Sequence, residues 1–361
     1  MLLILEKYSE FQMITYIFIW FFLVLLIFLI SQFDREFNHT SLRFFLLFIF
    51  LYIGFRHQVG GDWYTYLIIF EEIRHVSFFQ AITLTDPAYA SVNWLTQKVG
   101  FTIHFVNLFC AFLFTLGFGY FCLKQPQPWL VLLIAFQYLI TVVAMGYTRQ
   151  SVAVGISMAA LIALVELRPW RFVGLILCAA LFHKSAVILF VLFPVALPQI
   201  QIGRLFVIGL FTSGLGLVLV LERLGGMWAL YVSQGMESEG GLVRVLLNAV
   251  PAICFLLFKD QWQQRWPSTY KLTLWLSVIA LVLLPLQFLA STAVDRISLY
   301  FLPLQLLVLA RFPLLFQWKI QYVFCYGLVV AYSVVYLVWL NYSPWAQAAW
   351  IPYNNLLLLT F

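Results

Sequence analysis

A chain of 361 residues that is 64% hydrophobic and only 9% charged falls far below the roughly 25% charge of ordinary soluble domains. That balance excludes a soluble enzyme or binding module. The net charge of +6 has no soluble module on which to form a basic face, so nucleic acid is not an expected partner. In a membrane protein such charge sets topology or meets anionic headgroups.

The first apolar run, Met13–Ile30, is long enough to span a membrane and lacks a small-residue cleavage site, so it is expected to remain as a helix rather than be removed as a signal peptide. Further runs give candidate spans at 41–56, 101–123, 129–147, 150–167, 170–183, 185–201, 204–222, 242–258, 271–291, 297–314 and 319–341. No polar/apolar alternation of a lipid-facing barrel is present. The expectation is an all-α, polytopic transmembrane bundle of about 11–12 spans, forming one integral membrane domain over 1–361. Its 37 Phe, 13 Trp and 18 Tyr suit a chain whose solvent is lipid. The five cysteines lie singly in apolar runs, a pattern of core filling rather than disulfide or metal chemistry.

Two crossings at 170–201 put Lys and Arg of the short links on one face, as cytoplasmic loops require, and both termini on the opposite, outside face. Several outside cations then touch a span end beside polar or aromatic residues, where orientation alone does not need them. Two longer outside segments follow. Residues 57–100 include Tyr89, Val92, Trp94, Leu95 and Val99, at spacings that predict an interfacial amphipathic helix. Residues 223–241, with glycines at both ends and Tyr231 between them, read as a mobile flap or a plain loop.

Chemistry concentrates in four places. Arg56 to Tyr66 packs Arg, His, Asp and Tyr around Gly60–Gly61 directly after an apolar run. Ionisable groups at membrane depth cost several kcal/mol and usually mark a substrate path. Tyr147–Thr148–Arg149–Gln150–Ser151 separates two spans with almost no loop, so Arg149 is either an anchor or ion-pair partner, or a fixed fork for phosphate oxygens. His183–Lys184–Ser185 places an imidazole between two short spans, as a structural hydrogen-bonding group or a proton carrier. Asp295–Arg296 opens a late span, where Asp295 would cap the helix and Arg296 and Tyr300, four apart, would share a face. The scattered histidines form no ligand pair, so no metal site is expected.

In this order, Arg56 with Val59–Gly60–Gly61–Asp62–Trp63–Tyr64, Asp86–Pro87–Ala88–Tyr89, Arg149–Gln150 with Ala153, Leu181–Phe182–His183–Lys184–Ser185–Ala186 and Arg296–Ile297–Ser298–Leu299–Tyr300–Phe301 resemble the EpsG/Wzy-like family of bacterial polysaccharide polymerases. Ala88 departs from the family pattern, where Gly often follows Pro. The resemblance implies a GT-C-like glycosyltransferase of the bacterial inner membrane, working at its periplasmic or outer face without metal, cofactor or nucleotide sugar. Its donor and acceptor would be glycans on undecaprenyl diphosphate, with membrane lipid, a chain-length regulator and export proteins as further partners.

Carried onto this chain, the resemblance makes Arg149 and Arg296 diphosphate ligands, with Arg56 a third and Gln150 and Lys184 beside them. Asp62, His183 or Asp295 would receive the acceptor proton. Tyr64, Tyr66, Tyr231 and Tyr300 would contact sugars. A flippase for the same lipid-linked glycan, a glycan ligase and a membrane acyltransferase using His183 are the alternatives. The absence of repeated halves weighs against the flippase.

Overall fold

A computed structural model describes residues 2–30, 35–196, 241–289 and 291–359. The described chain is helical throughout, apart from an isolated antiparallel bridge between Arg56 and Asn355. Seven helices are long and apolar enough to cross a membrane, or eight if the bent pair at 241–265 is one span. This is a multi-pass helical membrane protein.

The helices, in chain order, are α1 (Leu2–Ile30), α2 (Arg35–Gly54), α3 (Trp63–Arg74), α4 (Phe78–Leu84), α5 (Pro87–Lys98), α6 (Ile103–Leu123), α7 (Pro128–Ala135), α8 (Thr148–Val165), α9 (Pro169–Phe182), α10 (Gly241–Leu257), α11 (Lys259–Arg265), α12 (Pro267–Leu286), α13 (Ser291–Ser298), α14 (Leu302–Arg311), α15 (Trp318–Tyr342), α16 (Pro344–Ala349) and α17 (Leu356–Leu359). They fall into two compact units: 1–155 with 316–361, and 156–315.

Seven of the expected spans coincide with segments long and apolar enough to cross a membrane, and four others fall on shorter or bent helical segments. The run at 129–147 folds as α7 followed by a π-helical segment, Phe136–Ala144. The run at 170–183 becomes the 14-residue α9, begun by Pro169. The run at 185–201 becomes a 3₁₀ segment, Lys184–Ala196, containing Pro194. Its rise of about 2 Å per residue makes 13 residues reach about 26 Å, against about 21 Å for α9. The run at 242–258 is α10, which meets α11 at a 78° bend. The expected span at 204–222 and the loop at 223–241, with Tyr231, lie outside the described residues except for Gly241, the first residue of α10.

In the first unit, α1 and α15 run antiparallel. Tyr16 donates to the Trp350 carbonyl (2.8 Å) at one end, Trp20 Nε1 to Ser333 Oγ (2.9 Å) in the middle, and the rings of Phe28 and Tyr326 stack at the other end. Glycine lets α6 approach its neighbours. A Cβ on Gly54 would lie 2.7 Å from Leu108, one on Gly119 2.9 Å from Leu46, and one on Gly155 2.8 Å from the Phe114 backbone. Such small-residue contacts drive packing where lipid removes the hydrophobic advantage.

Within 57–100 the helix expected around Tyr89–Val99 is α5, and two further short helices, α3 and α4, precede it. α5 turns Tyr89, Ala90, Asn93 and Thr96 inward and leaves Leu95 and Val99 exposed. Ile73, Ala81 and Ala90 form its small core, with Ile69, Val76, Ile82 and Trp94 packed on them. Ser77 starts α4 with a reciprocal capping box to Gln80.

In the second unit, Pro303 lacks the N–H that would bond the Leu299 carbonyl, and its ring crowds that carbonyl. The helix accordingly tightens to a 3₁₀ turn, Leu299–Phe301, between α13 and α14.

Candidate active site

The first unit gathers the ends of α2, α6 and α8 around Arg56. α2 ends two residues before it, and α6 and α8 begin beside it. The segment after α15 crosses it, with His57 N–H donating to the Asn354 carbonyl (2.9 Å) and Leu356 N–H to the Phe55 carbonyl (2.7 Å). Tyr353 donates to the Tyr52 carbonyl (2.8 Å) and packs on Tyr16, bringing the middle of α1 to the same end.

Arg56 is 1% exposed. Its guanidinium donates to the Ile53 carbonyl (2.8 Å), Asn107 Oδ1 (3.2 Å) and Thr148 Oγ1 (2.7 Å), and no carboxylate pairs with it among the described residues. Burial lowers its pKa, but a guanidinium stays charged at neutral pH. A charge held by neutral acceptors alone retains most of its desolvation cost.

Gly60–Gly61 shapes this end. Gly60 sits at φ +113°, and a Cβ there would lie 2.3 Å from the Met145 carbonyl oxygen. Its N–H donates to the Ala349 carbonyl (2.7 Å). Gly61 and Gly146 both lie against the Trp350 ring, whose Nε1 donates to the Thr141 carbonyl within the π segment (2.8 Å). π segments are rare and frequent at functional sites, and this one leads to Arg149 at the start of α8.

The Arg149 guanidinium lies 5.7 Å from the Tyr66 ring centroid and 5.9 Å from that of Tyr89. Nη1 donates to Thr85 Oγ1 (2.6 Å) and Asp86 Oδ2 (2.8 Å). Asp86 occupies the N-cap of α5 with Pro87 behind it, yet its side chain makes no capping bond. The carboxylate that would cap α5 serves Arg149 instead. Burial, then the nearby Asp62 charge, raise the Tyr66 pKa to about 12, so this phenol is a neutral donor at working pH. Burial likewise raises Tyr89. Beside them His57 Nδ1 meets His104 Nε2 at 2.9 Å, with both rings against Trp63.

Arg56 Nε, Trp63 Nε1, Tyr89 OH, Asn107 Nδ2 and Arg149 Nε are buried without a hydrogen-bond partner. Buried polar groups are nearly always satisfied. Each of these five can donate, which is the complement of an anion's oxygens, while Asn93 Oδ1, one turn along α5 from Tyr89, is an orphan acceptor.

The second unit holds another cluster. His183, extended at the end of α9, places Nδ1 2.6 Å from Ser185 Oγ, and Tyr300 OH lies 3.1 Å from Ser185 Oγ and 3.4 Å from His183 Nδ1. Asp295 is inside α13 rather than at its cap, and both its oxygens accept from Arg244, through Nε and through Nη2 at 2.7 Å. Asn248 Nδ2 donates to the Ser298 carbonyl on the same face (2.9 Å).

The predicted residues therefore divide. Arg56, Asp62, Arg149 and the buried Gln150 belong to the first unit's cluster. His183, Tyr300 and Asp295 belong to the second unit. Tyr64 is 67% exposed while Tyr66 is buried, because residues two apart on a helix point to nearly opposite sides. Lys184 and Arg296 are exposed, so Arg296 and Tyr300 do not share an environment across the 3₁₀ turn. Sequence reasoning passed over Asp86, Thr85, Tyr89, Asn107, Thr148, His104, Ser185 and Arg244 as functional side chains. Asp86–Pro87 at a helix start was the one local signal among them. No group of three or more His, Cys, Asp or Glu side chains is placed to hold a metal among the described residues.

A family model for the EpsG family matches residues 39–355. The chain belongs to the EpsG family. The match spans every cluster above in this EpsG-family chain, from Arg56 to Asn355. No curated protein and no solved structure matches it.

Proposed function

We propose that this EpsG-family protein polymerises oligosaccharide repeat units carried on undecaprenyl diphosphate, at the periplasmic or outer face of the bacterial inner membrane. Family membership supports the polymerase class. The observation that carries the reading is the set of orphan donors around the charge of Arg56, which suits diphosphate oxygens.

The acceptor sugar hydroxyl attacks the donor's anomeric carbon. The new C–O bond forms as the bond from that carbon to the diphosphate oxygen breaks, and the electron pair leaves with lipid diphosphate. Arg56 and Arg149 stabilise the charge that develops there, through preorganised donors in a water-poor site. Asp62, at the start of α3 beside Tyr66, receives the acceptor proton. Diphosphate is a good leaving group, so the arginines carry more of the barrier than the base. In the second unit, His183 with Ser185 and Tyr300 is the other group built to move a proton.

The test is reconstitution of the purified protein with lipid-diphosphate repeat units from its own host. A ladder of lengthening glycans supports polymerisation. Folded protein that gives no ladder, together with accumulation of single lipid-linked units on the cytoplasmic leaflet of a deletion strain, overturns it in favour of transport.

A further inference from the structure

A cavity opens in the first unit, lined by residues other than Arg56 and Arg149, with a volume of about 560 Å³. Its walls come from the far ends of α3 and α5 and the turn into α6. They carry Glu71, Arg74, Trp94, Gln97, Lys98 and Phe101. We propose that this cavity is a glycan subsite, holding an oligosaccharide stretch of the polymerase substrate. The proposal rests on the reading that diphosphate binds at Arg56 and Arg149.

The lining is mixed in the way a sugar requires. Trp94 offers an aromatic wall for the C–H face of a ring. It is fixed by its Nε1 bond to the Val76 carbonyl (3.3 Å) and by the edge contact of Phe78. Phe101 adds a half-exposed aromatic wall. Glu71 and Arg74 pair at 3.1 Å on the rim, presenting an acceptor and a donor side by side to vicinal hydroxyls. Lys98 lies 5.1 Å over the Trp94 ring, a weak exposed contact that a ligand can displace. An acyl chain would leave Glu71, Arg74 and Gln97 facing hydrocarbon, and a nucleotide's phosphates would meet the Glu71 carboxylate.

Geometry joins this cavity to the arginine cluster. The Tyr66 and Tyr89 rings touch at 5.5 Å at the arginine end of α3 and α5. Further along, the Gln97 side chain donates to the Phe70 carbonyl, so the two helices run side by side toward the cavity. From Tyr66 to Arg74 the rise is about 12 Å, and from Tyr89 to Lys98 about 13 Å. A glycan attached to a diphosphate at the arginines would extend along this pair into the cavity.

The experiment is isothermal titration calorimetry on the full-length protein in nanodiscs, with two separate probes: oligosaccharides cut from the producing cell's own surface polysaccharide, and inorganic diphosphate. Trp94→Ala and Arg74→Ala should each weaken oligosaccharide binding by about tenfold and leave diphosphate binding unchanged. Arg149→Lys should do the reverse. If Trp94→Ala misfolds, Arg74→Ala decides alone, since its exposed side chain leaves the packing intact. No oligosaccharide binding by the wild type, or unchanged affinity in the folded variants, overturns the subsite and leaves the polymerase reading standing. Unchanged diphosphate binding in Arg149→Lys counts against the arginine site and leaves glycan binding in the cavity measurable.

Discussion

Arg149 and Asp86, 63 residues apart in the chain, meet at 2.8 Å between Nη1 and Oδ2. The pair is half-buried, with side-chain exposures of 24% and 7%. It joins the start of α8 to the start of α5, and it costs α5 its side-chain cap. Asp86→Asn should therefore lower stability by about 2 kcal/mol, less than the 3–5 of a fully buried pair. Arg149→Gln should show strong coupling to it in a double-mutant cycle, read as thermal midpoints in detergent. Additive effects would mean that the pair does not act as one.

Arg149→Lys keeps the charge but loses the planar guanidinium, whose Nη1 bonds both Thr85 and Asp86 and which lies against the rings of Tyr66 and Tyr89. Polymer should fall by at least about 100-fold while the protein inserts normally, a loss of the size seen when one transition-state donor is removed. Normal chain lengths on a gel, at equal protein level in the membrane, would sink the assignment.

Arg56→Met separates anion binding from architecture. Its present partners are neutral, so an apolar side chain of similar length removes no ion pair. Loss of the donor leaves buried acceptors on Asn107 and Thr148, a cost of about 1–3 kcal/mol each, offset by removal of the guanidinium's own desolvation cost. The expected outcome is a midpoint within a few degrees of wild type and diphosphate affinity reduced by about 100-fold or more, since a charged donor set contributes about 3 kcal/mol. A collapse in stability with residual activity would assign Arg56 to the scaffold.

Gly60 and Gly100 form an internal control. Both hold positive φ, +113° and +86°, but only a Cβ on Gly60 would collide, 2.3 Å from the Met145 carbonyl oxygen, while one on Gly100 meets nothing within 4 Å. Gly100→Ala should cost about 1–2 kcal/mol from backbone strain alone. Gly60→Ala should cost clearly more and abolish polymer, because Met145 leads directly to Arg149. Equal losses of thermal stability would refute the close approach.

In the second unit, Asp295 gives both oxygens to Arg244. Either single alanine variant should destabilise by about 1–3 kcal/mol, and the double variant by little more than one of them. If Asp295→Ala abolished polymer while leaving the thermal midpoint unchanged, Asp295 would instead act in the chemistry.

The membrane class and the positions of most spans were legible in the sequence, because both depend on local composition. An apolar run must satisfy its backbone internally, and a helix is how a single segment does so. The ordered motifs likewise carried the family. Span length was less legible, since proline, the π segment before Met145 and the 3₁₀ segment at Lys184–Ala196 change the rise per residue without changing hydropathy.

Tertiary structure alone decided the side-chain partnerships. Tyr64 and Tyr66 look alike in the sequence, but helix geometry sends one outward and the other under Arg149. Asp86 reads as a helix cap until α8 brings Arg149 beside it, and Asp295 reads as another until α10 supplies Arg244. Hydropathy is a property of neighbours along the chain. Ion pairs and orphan donors are set by helix rotation and close approach, which residues far apart in the chain determine together.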